Sequence, residues 1–145
     1  MAWNPHTTVA ALIERDGKFL MVEESIDGKP VINQPAGHLD NNETLIDAVI
    51  REVQEETGWS FQPIGISGIY QWQHPVKHHT YLRTTFYGEV SNHDQNQPLD
   101  EPIIRSDWFS RTQLLDSDLR SPMVLRCIDD YLDNKRYPLE LLTHV

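Results

Sequence analysis

Residues 37–59 read GHLDNNETLIDAVIREVQEETGW. Five residues separate Gly37 from Glu43, and seven separate Glu43 from Arg51. Glu52, Glu55 and Glu56 follow directly. On a helix, residues three and four apart share a face. At about 100° per residue, the three carboxylates fall inside one arc of roughly 100°. Leu45, Ile46, Val49, Ile50 and Val53 form an adjoining apolar stripe. The spacing predicts an amphipathic helix with one side in a core and its neighbour presenting clustered negative charge. Asn41 or Asn42 is the expected N-cap, and Gly58 stands where a left-handed C-cap belongs.

The charge cluster needs a physical reason. Like charges four apart on a helix repel, and more so when partly buried. A bare E-x-x-E-E is most simply a solvated helix face. A hard divalent cation offers a different resolution, because Mg²⁺ takes oxygen ligands and keeps waters or substrate phosphates in its remaining positions. The offsets of Gly37, Glu43, Arg51 and Gly58 favour the second reading.

The whole pattern is G-x5-E-x7-R-E-U-x-E-E-x-G-U, where U is a bulky apolar residue; Val53 and Trp59 fill the two U places. It resembles the signature of the Nudix hydrolases, although Trp59 is bulkier than the usual aliphatic residue. The resemblance implies an α/β/α sandwich around a mixed sheet. It also implies hydrolysis of a nucleoside diphosphate linked to a further moiety, or of a close relative, with Mg²⁺ or Mn²⁺. The implied metal ligands are the Gly37 carbonyl, Glu52, Glu55 and Glu56. Arg51 would ion-pair with Glu43 and orient the loop on the helix, or pair with Glu55 four residues on; the sequence leaves both open. Water would attack phosphorus in line with the leaving oxygen, with positioning and electrostatics carrying the catalysis. The general base is either a signature glutamate or Glu101 in a distant loop beside Asp100.

Composition agrees with one small catalytic domain spanning residues 1–145. The net charge of −10 lacks the basic footprint of a nucleic-acid-binding protein. It does not exclude phosphate substrates, because a bound metal inverts the local field. A single cysteine, Cys127, excludes an internal disulfide and a cysteine-rich zinc site. No apolar run is long enough to span a bilayer, and the first residues lack a basic and then apolar leader pattern. The expectation is a cytoplasmic enzyme with a small-molecule phosphate substrate and no nucleic-acid or membrane partner, either monomeric or homodimeric.

Around the signature, residues 7–14 and 18–24 read as a hairpin closed by Asp16-Gly17. Residues 27–30 form a further turn, 31–34 a short strand, and 36–42 a loop into the helix. Strands are expected over 64–72, 80–90 and 103–109, with a polar loop over 92–98. A helical turn is expected over 113–115. A second long helix should span 122–133, with Ser121 as cap and Pro122 in the first turn.

Substrate contacts must come from outside the signature. Trp72, flanked by Gln71 and Gln73, could stack on a base or serve as a core residue. Lys77, Arg83, Arg15 and Lys29 supply positive charge suited to phosphates. His78-His79 has no spaced partner for a metal site. Residues 33–39, Gln71-Trp72, Leu82-Arg83, 119–122 and 136–140 resemble one phosphatase branch of the family. That likeness implies orthophosphate release from nucleoside tri- and diphosphates and from the thiamine-pyrimidine (hydroxymethylpyrimidine) diphosphate. Pro75, 16 residues after Trp59, resembles instead the proline near that offset in the family's ADP-ribose pyrophosphatases, a single-residue likeness that implies the rival activity. A non-catalytic nucleotide sensor is a third class, and intact signature glutamates argue against it.

Overall fold

The computed structural model describes residues 2–145. Its organising strand is β1 (His6–Leu12), which is buried on both faces. It pairs in parallel with β7 (Thr80–Ser91) and antiparallel with the short β5 (Ala36–His38). β7 pairs antiparallel with β6 (Ser60–Gln73), which pairs with the two-residue β9 (Tyr137–Pro138). The five-stranded mixed sheet therefore runs β5-β1-β7-β6-β9. A second, antiparallel sheet is built on β3 (Lys18–Ile26), which pairs with β2 (Glu14–Arg15), β4 (Lys29–Asn33) and β8 (Ile103–Phe109).

Two helices cover the sheet. Side chains alternate faces along a strand. Val9 and Ala11 thus join one core, with Val49 and Val53 of α1 (Leu45–Thr57). Leu12 joins the other, with Val124, Cys127 and Ile128 of α3 (Met123–Leu132). Val49 and Val53 are fully buried, worth about 1.5–3 kcal/mol each at ordinary transfer values. The mixed α/β architecture agrees with the sandwich implied by the signature. Among the described residues, no helix is long and apolar enough to cross a membrane.

Local punctuation explains most element ends. Asp16-Gly17 and Asp27-Gly28 both take positive φ at their two residues, the hairpin-turn conformation that Asp-Gly tolerates well. Gly58 caps α1 with φ 76°, and its N–H returns to Gln54 O. A Cβ there would lie 2.7 Å from Asp94 O.

Several expectations are corrected. The N-cap of α1 is Thr44, whose hydroxyl accepts from Asp47 N at 3.0 Å. Asn42 instead takes φ 65°, a turn conformation rather than the extended backbone an N-cap needs. Residues 36–38, expected as loop, form β5, because β1 offers them an open edge. Lys29 and Pro30, expected in a turn, already belong to β4. β6 is longer than expected, and two register shifts, at Pro63/Gly65 and Ile66/Gly68, keep it paired with β7 throughout. The helical turn before α3 is α2 (Arg111–Leu115), started by a capping box between Ser110 and Gln113. At α3 the cap position is Pro122 rather than Ser121; Ser121, two residues before the helix begins, still accepts from Met123 N through Oγ at 3.2 Å.

Candidate active site

A cavity of about 400 Å³ opens where α1, β5 and the ends of both sheets meet. Gly37, Glu52, Glu56, Asp100 and Glu101 line its acidic side; Trp72, Tyr81, Arg83, Asn33 and Arg120 line the other.

The acidic side is built by β5 lying along α1. Glu56 is buried and accepts from Ala36 N at 2.9 Å. Burial pushes its carboxyl up to about 9, against that hydrogen bond. Glu52 is also buried, and burial pushes it up to about 7 despite the Arg51 guanidinium beside it. Gly37 has no side chain for a steric reason: a Cβ there would collide with the Glu52 carboxylate. Glu55 lies on the helix edge and is raised by burial and by a hydrogen bond with Asp100. It is not part of the cavity wall.

Arg51 organises this side. It holds Glu43 through Nε at 2.7 Å and Nη2 at 3.0 Å, a bidentate fork. Nη1 donates to Glu52 at 2.8 Å and reaches Glu55 at only 3.4 Å. Nη2 also donates to the His38 carbonyl at 3.0 Å. Both pairings left open by the sequence occur, and the Glu43 pair is much the tighter. Glu43 falls below the usual carboxylate range, through Arg51 first and the Asp40 N–H second.

The residues present fit a divalent cation. Among the described residues, Glu56 is a nearly buried carboxyl with one backbone N–H as its only hydrogen-bond partner, and burial pushes both it and Glu52 towards neutrality, Glu52 even with the Arg51 guanidinium 2.8 Å away. Among the described residues, no three acidic, His or Cys side chains converge into a complete ligand set. Mg²⁺ does not require one, since it is commonly held by one or two carboxylates plus waters and substrate phosphates.

The remaining sequence candidates separate. Trp72 lines the cavity and stacks with Tyr81 at 5.9 Å and 24°. Arg83 lines it from a buried position. Glu101 stands at the rim, exposed. Four candidates lie elsewhere. Gln71 points to the opposite face from Trp72, as alternation along β6 requires. Lys77 is exposed and paired with Asp27 at 3.2 Å. Lys29 is exposed, 4.0 Å from Asp118. Arg15 sits over the rings of Trp59 and Trp108, 5.0 and 5.1 Å from their centroids, and donates to Val90 O. That packing also accounts for Trp59 in the last signature position. Pro75 is exposed and outside the cavity wall.

Sequence reasoning missed Glu24, a buried carboxylate in the cavity wall paired with Arg120 at 2.9 Å. No local spacing could link two residues 96 positions apart.

This fold is that of a Nudix hydrolase: the NUDIX domain model matches residues 4–126, and the chain belongs to that family. It is accordingly an enzyme acting on phosphoric anhydride bonds. It is 45% identical to the phosphatase NudJ of Escherichia coli K12 over 141 residues, 97% of this chain and 92% of that one. The structure of a NUDIX hydrolase from Nitrosomonas europaea superposes with a TM-score of 0.96 at 46% identity, covering 98% of each chain. The NUDIX domain of Shewanella oneidensis NrtR, solved with ADP ribose, has a TM-score of 0.75 at 18% identity over 90% of this chain and 88% of that one, a likeness of fold alone.

Proposed function

We propose that this chain is a Mg²⁺-dependent phosphohydrolase, with Mn²⁺ as the alternative ion, releasing orthophosphate from small phosphoanhydrides. The proposed substrates are nucleoside tri- and diphosphates and the thiamine-pyrimidine diphosphate, in the cytoplasm. The observation that carries this reading is the buried pair Glu52 and Glu56 in one cavity wall, Glu52 against Gly37 and Glu56 on the Ala36 N–H. The likeness to a curated phosphatase along nearly the whole chain supports orthophosphate as the product.

In this reading Glu52, Glu56 and the Gly37 carbonyl hold the ion, with Glu55 at the edge of the set. The bound ion would neutralise phosphate charge and lower the pKa of the attacking water. Arg51 keeps Glu52 and the β5–α1 loop in place before substrate arrives. Trp72 offers a flat face to a base or pyrimidine ring. Glu101 is exposed at the rim, able to take a proton from water on the open side and pass it to solvent.

The test is product analysis with purified protein and Mg²⁺. Thiamine-pyrimidine diphosphate, ADP, ATP and ADP-ribose are supplied separately, and orthophosphate is measured with and without added pyrophosphatase. Direct orthophosphate from the diphosphates is the expected result. Turnover of ADP-ribose alone, giving AMP and ribose phosphate, would overturn it. Nucleotide binding without any turnover would point to a sensor.

A further inference from the structure

Arg83 of β7 is 4% exposed, yet it lines the cavity. Strand register sets it level with Thr8 of β1, and Thr8 level with His38 of β5. It therefore stands two strand spacings, about 10 Å, from the strand that carries Gly37.

Its partners are neutral groups. Nη1 donates to Gln34 Oε1 at 3.0 Å and lies 3.9 Å from Cys127 Sγ; Nη2 donates to Asn33 Oδ1 at 3.0 Å. A guanidinium carries five N–H donors, so donors remain after these contacts. Nε is buried and has no hydrogen-bond partner among the described residues. Among the described residues, no carboxylate pairs with Arg83. The contrast is with Arg120 and Arg51 in the same region, which hold Glu24 and Glu43.

A buried charge with no counter-charge is costly. Orienting two amides does not require one, since a neutral donor would serve. The charge is accounted for when its partner arrives with the ligand. Asn33 adds to this: its oxygen is committed to Arg83, which leaves its NH₂ group as a further donor in the cavity wall.

We propose that Arg83 is a specificity-determining anchor for an anionic group of the substrate, a phosphate oxygen on the side of the chain away from Gly37. The proposal rests on the phosphohydrolase reading of the same cavity. It separates the two ends of the site. Glu52 and Glu56 act on phosphate through a cation, whereas Arg83 acts on it directly. Anion binding at Arg83 is therefore independent of metal.

The experiment titrates inorganic pyrophosphate, in the presence of a chelator, into the unmodified protein and into R83Q, R83K and E56Q. Melting temperature and heat of binding are recorded. Steady-state kinetics with ADP and Mg²⁺ follow. Without ligand, R83Q should melt at or above the unmodified protein, because an uncompensated charge has gone. It should lose the pyrophosphate-induced rise, and its KM should increase about 10- to 100-fold with a much smaller change in kcat. R83K keeps the charge but not the fork, so pyrophosphate should bind it more weakly than the unmodified protein. E56Q should keep the pyrophosphate response while losing turnover. Loss of the anion response in R83Q alongside full turnover in E56Q would leave the anchor standing and sink the metal assignment. An unchanged pyrophosphate response and KM in R83Q would overturn the anchor. If R83Q does not fold, R83K with unmodified binding and KM overturns it equally.

Discussion

Arg51 grips Glu43 through two hydrogen bonds, Nε to Oε2 at 2.7 Å and Nη2 to Oε1 at 3.0 Å. The pair ties the end of the signature loop, just before the N-cap Thr44, to the middle of α1. The same guanidinium reaches the His38 carbonyl and Glu52, so one side chain sets the loop, the β5 backbone and a proposed metal ligand. Lysine cannot make this fork. Arg51→Lys should leave the chain folded and weaken Mg²⁺ activation or activity by about 10- to 100-fold, the usual cost of removing a partner that orients a ligand. Rate against Mg²⁺ concentration checks this, and an unchanged curve would mean that the fork does not govern the site.

Gly37 faces the Glu52 carboxylate so closely that a methyl group there would collide with it. The colliding atoms are the far end of a side chain, which can swing away. Gly37→Ala should therefore cost little stability, about 1 kcal/mol or less, yet lower kcat/KM roughly 100-fold by moving Glu52. A denaturant melt and an activity assay on the same preparation separate the two effects. A large loss of stability with activity retained would contradict this account.

The two buried glutamates also make metal-free stability depend on pH. Glu52 is pushed up to about 7 and Glu56 to about 9, both from an ordinary 4.5. Above pH 4.5 the unfolded chain has released protons that the folded chain still holds, so stability falls as pH rises. The decline should begin near pH 4.5 and flatten near 9. Mg²⁺ favours the ionised carboxylates, so its stabilising effect should grow over the same window. Thermal melts from pH 5 to 9, with chelator and with Mg²⁺, test this; curves that stay parallel would refute it.

Trp72 is half-buried, stacks with Tyr81 and faces the cavity, and it belongs to neither helix-covered core. Trp72→Ala should raise KM for base-containing substrates about 5- to 100-fold, the range for one lost stacking contact. KM for inorganic tripolyphosphate should hardly move. An equal loss on both substrates, tracking the melting temperature, would instead mark Trp72 as structural.

The signature helix was legible because its information is local: apolar spacing, carboxylates at helical offsets and a glycine at the end. So were the two Asp-Gly hairpins. The N-cap is not legible, because Asn42 and Thr44 both suit a helix start and differ only in the backbone the fold gives them, extended at Thr44 and left-handed at Asn42. β5 has no signal in the sequence, because three residues carry no period and its partner β1 lies nearly thirty residues earlier. The basic candidates divided for a similar reason. Lys29, Lys77, Arg15 and Arg83 look alike as charges, and only the pairing of β7 inside the sheet buries Arg83 in the cavity wall, while Lys29 at the start of β4 and Lys77 in the β6–β7 loop stay in solvent. Glu24 and Arg120 meet only in three dimensions.

β5 has a single strand neighbour, β1, and the other neighbour of β1 is β7, which belongs to the second half of the chain. During synthesis the complete signature emerges well before β7 does. Until then β1 lacks the parallel partner that makes it an interior strand, and β5 has no finished sheet to dock against. The glutamates are all present in the nascent chain, but their geometry waits on a contact of long sequence separation, the slow kind to form. Catalytic competence is therefore acquired late, at a time set by a strand that supplies none of the signature.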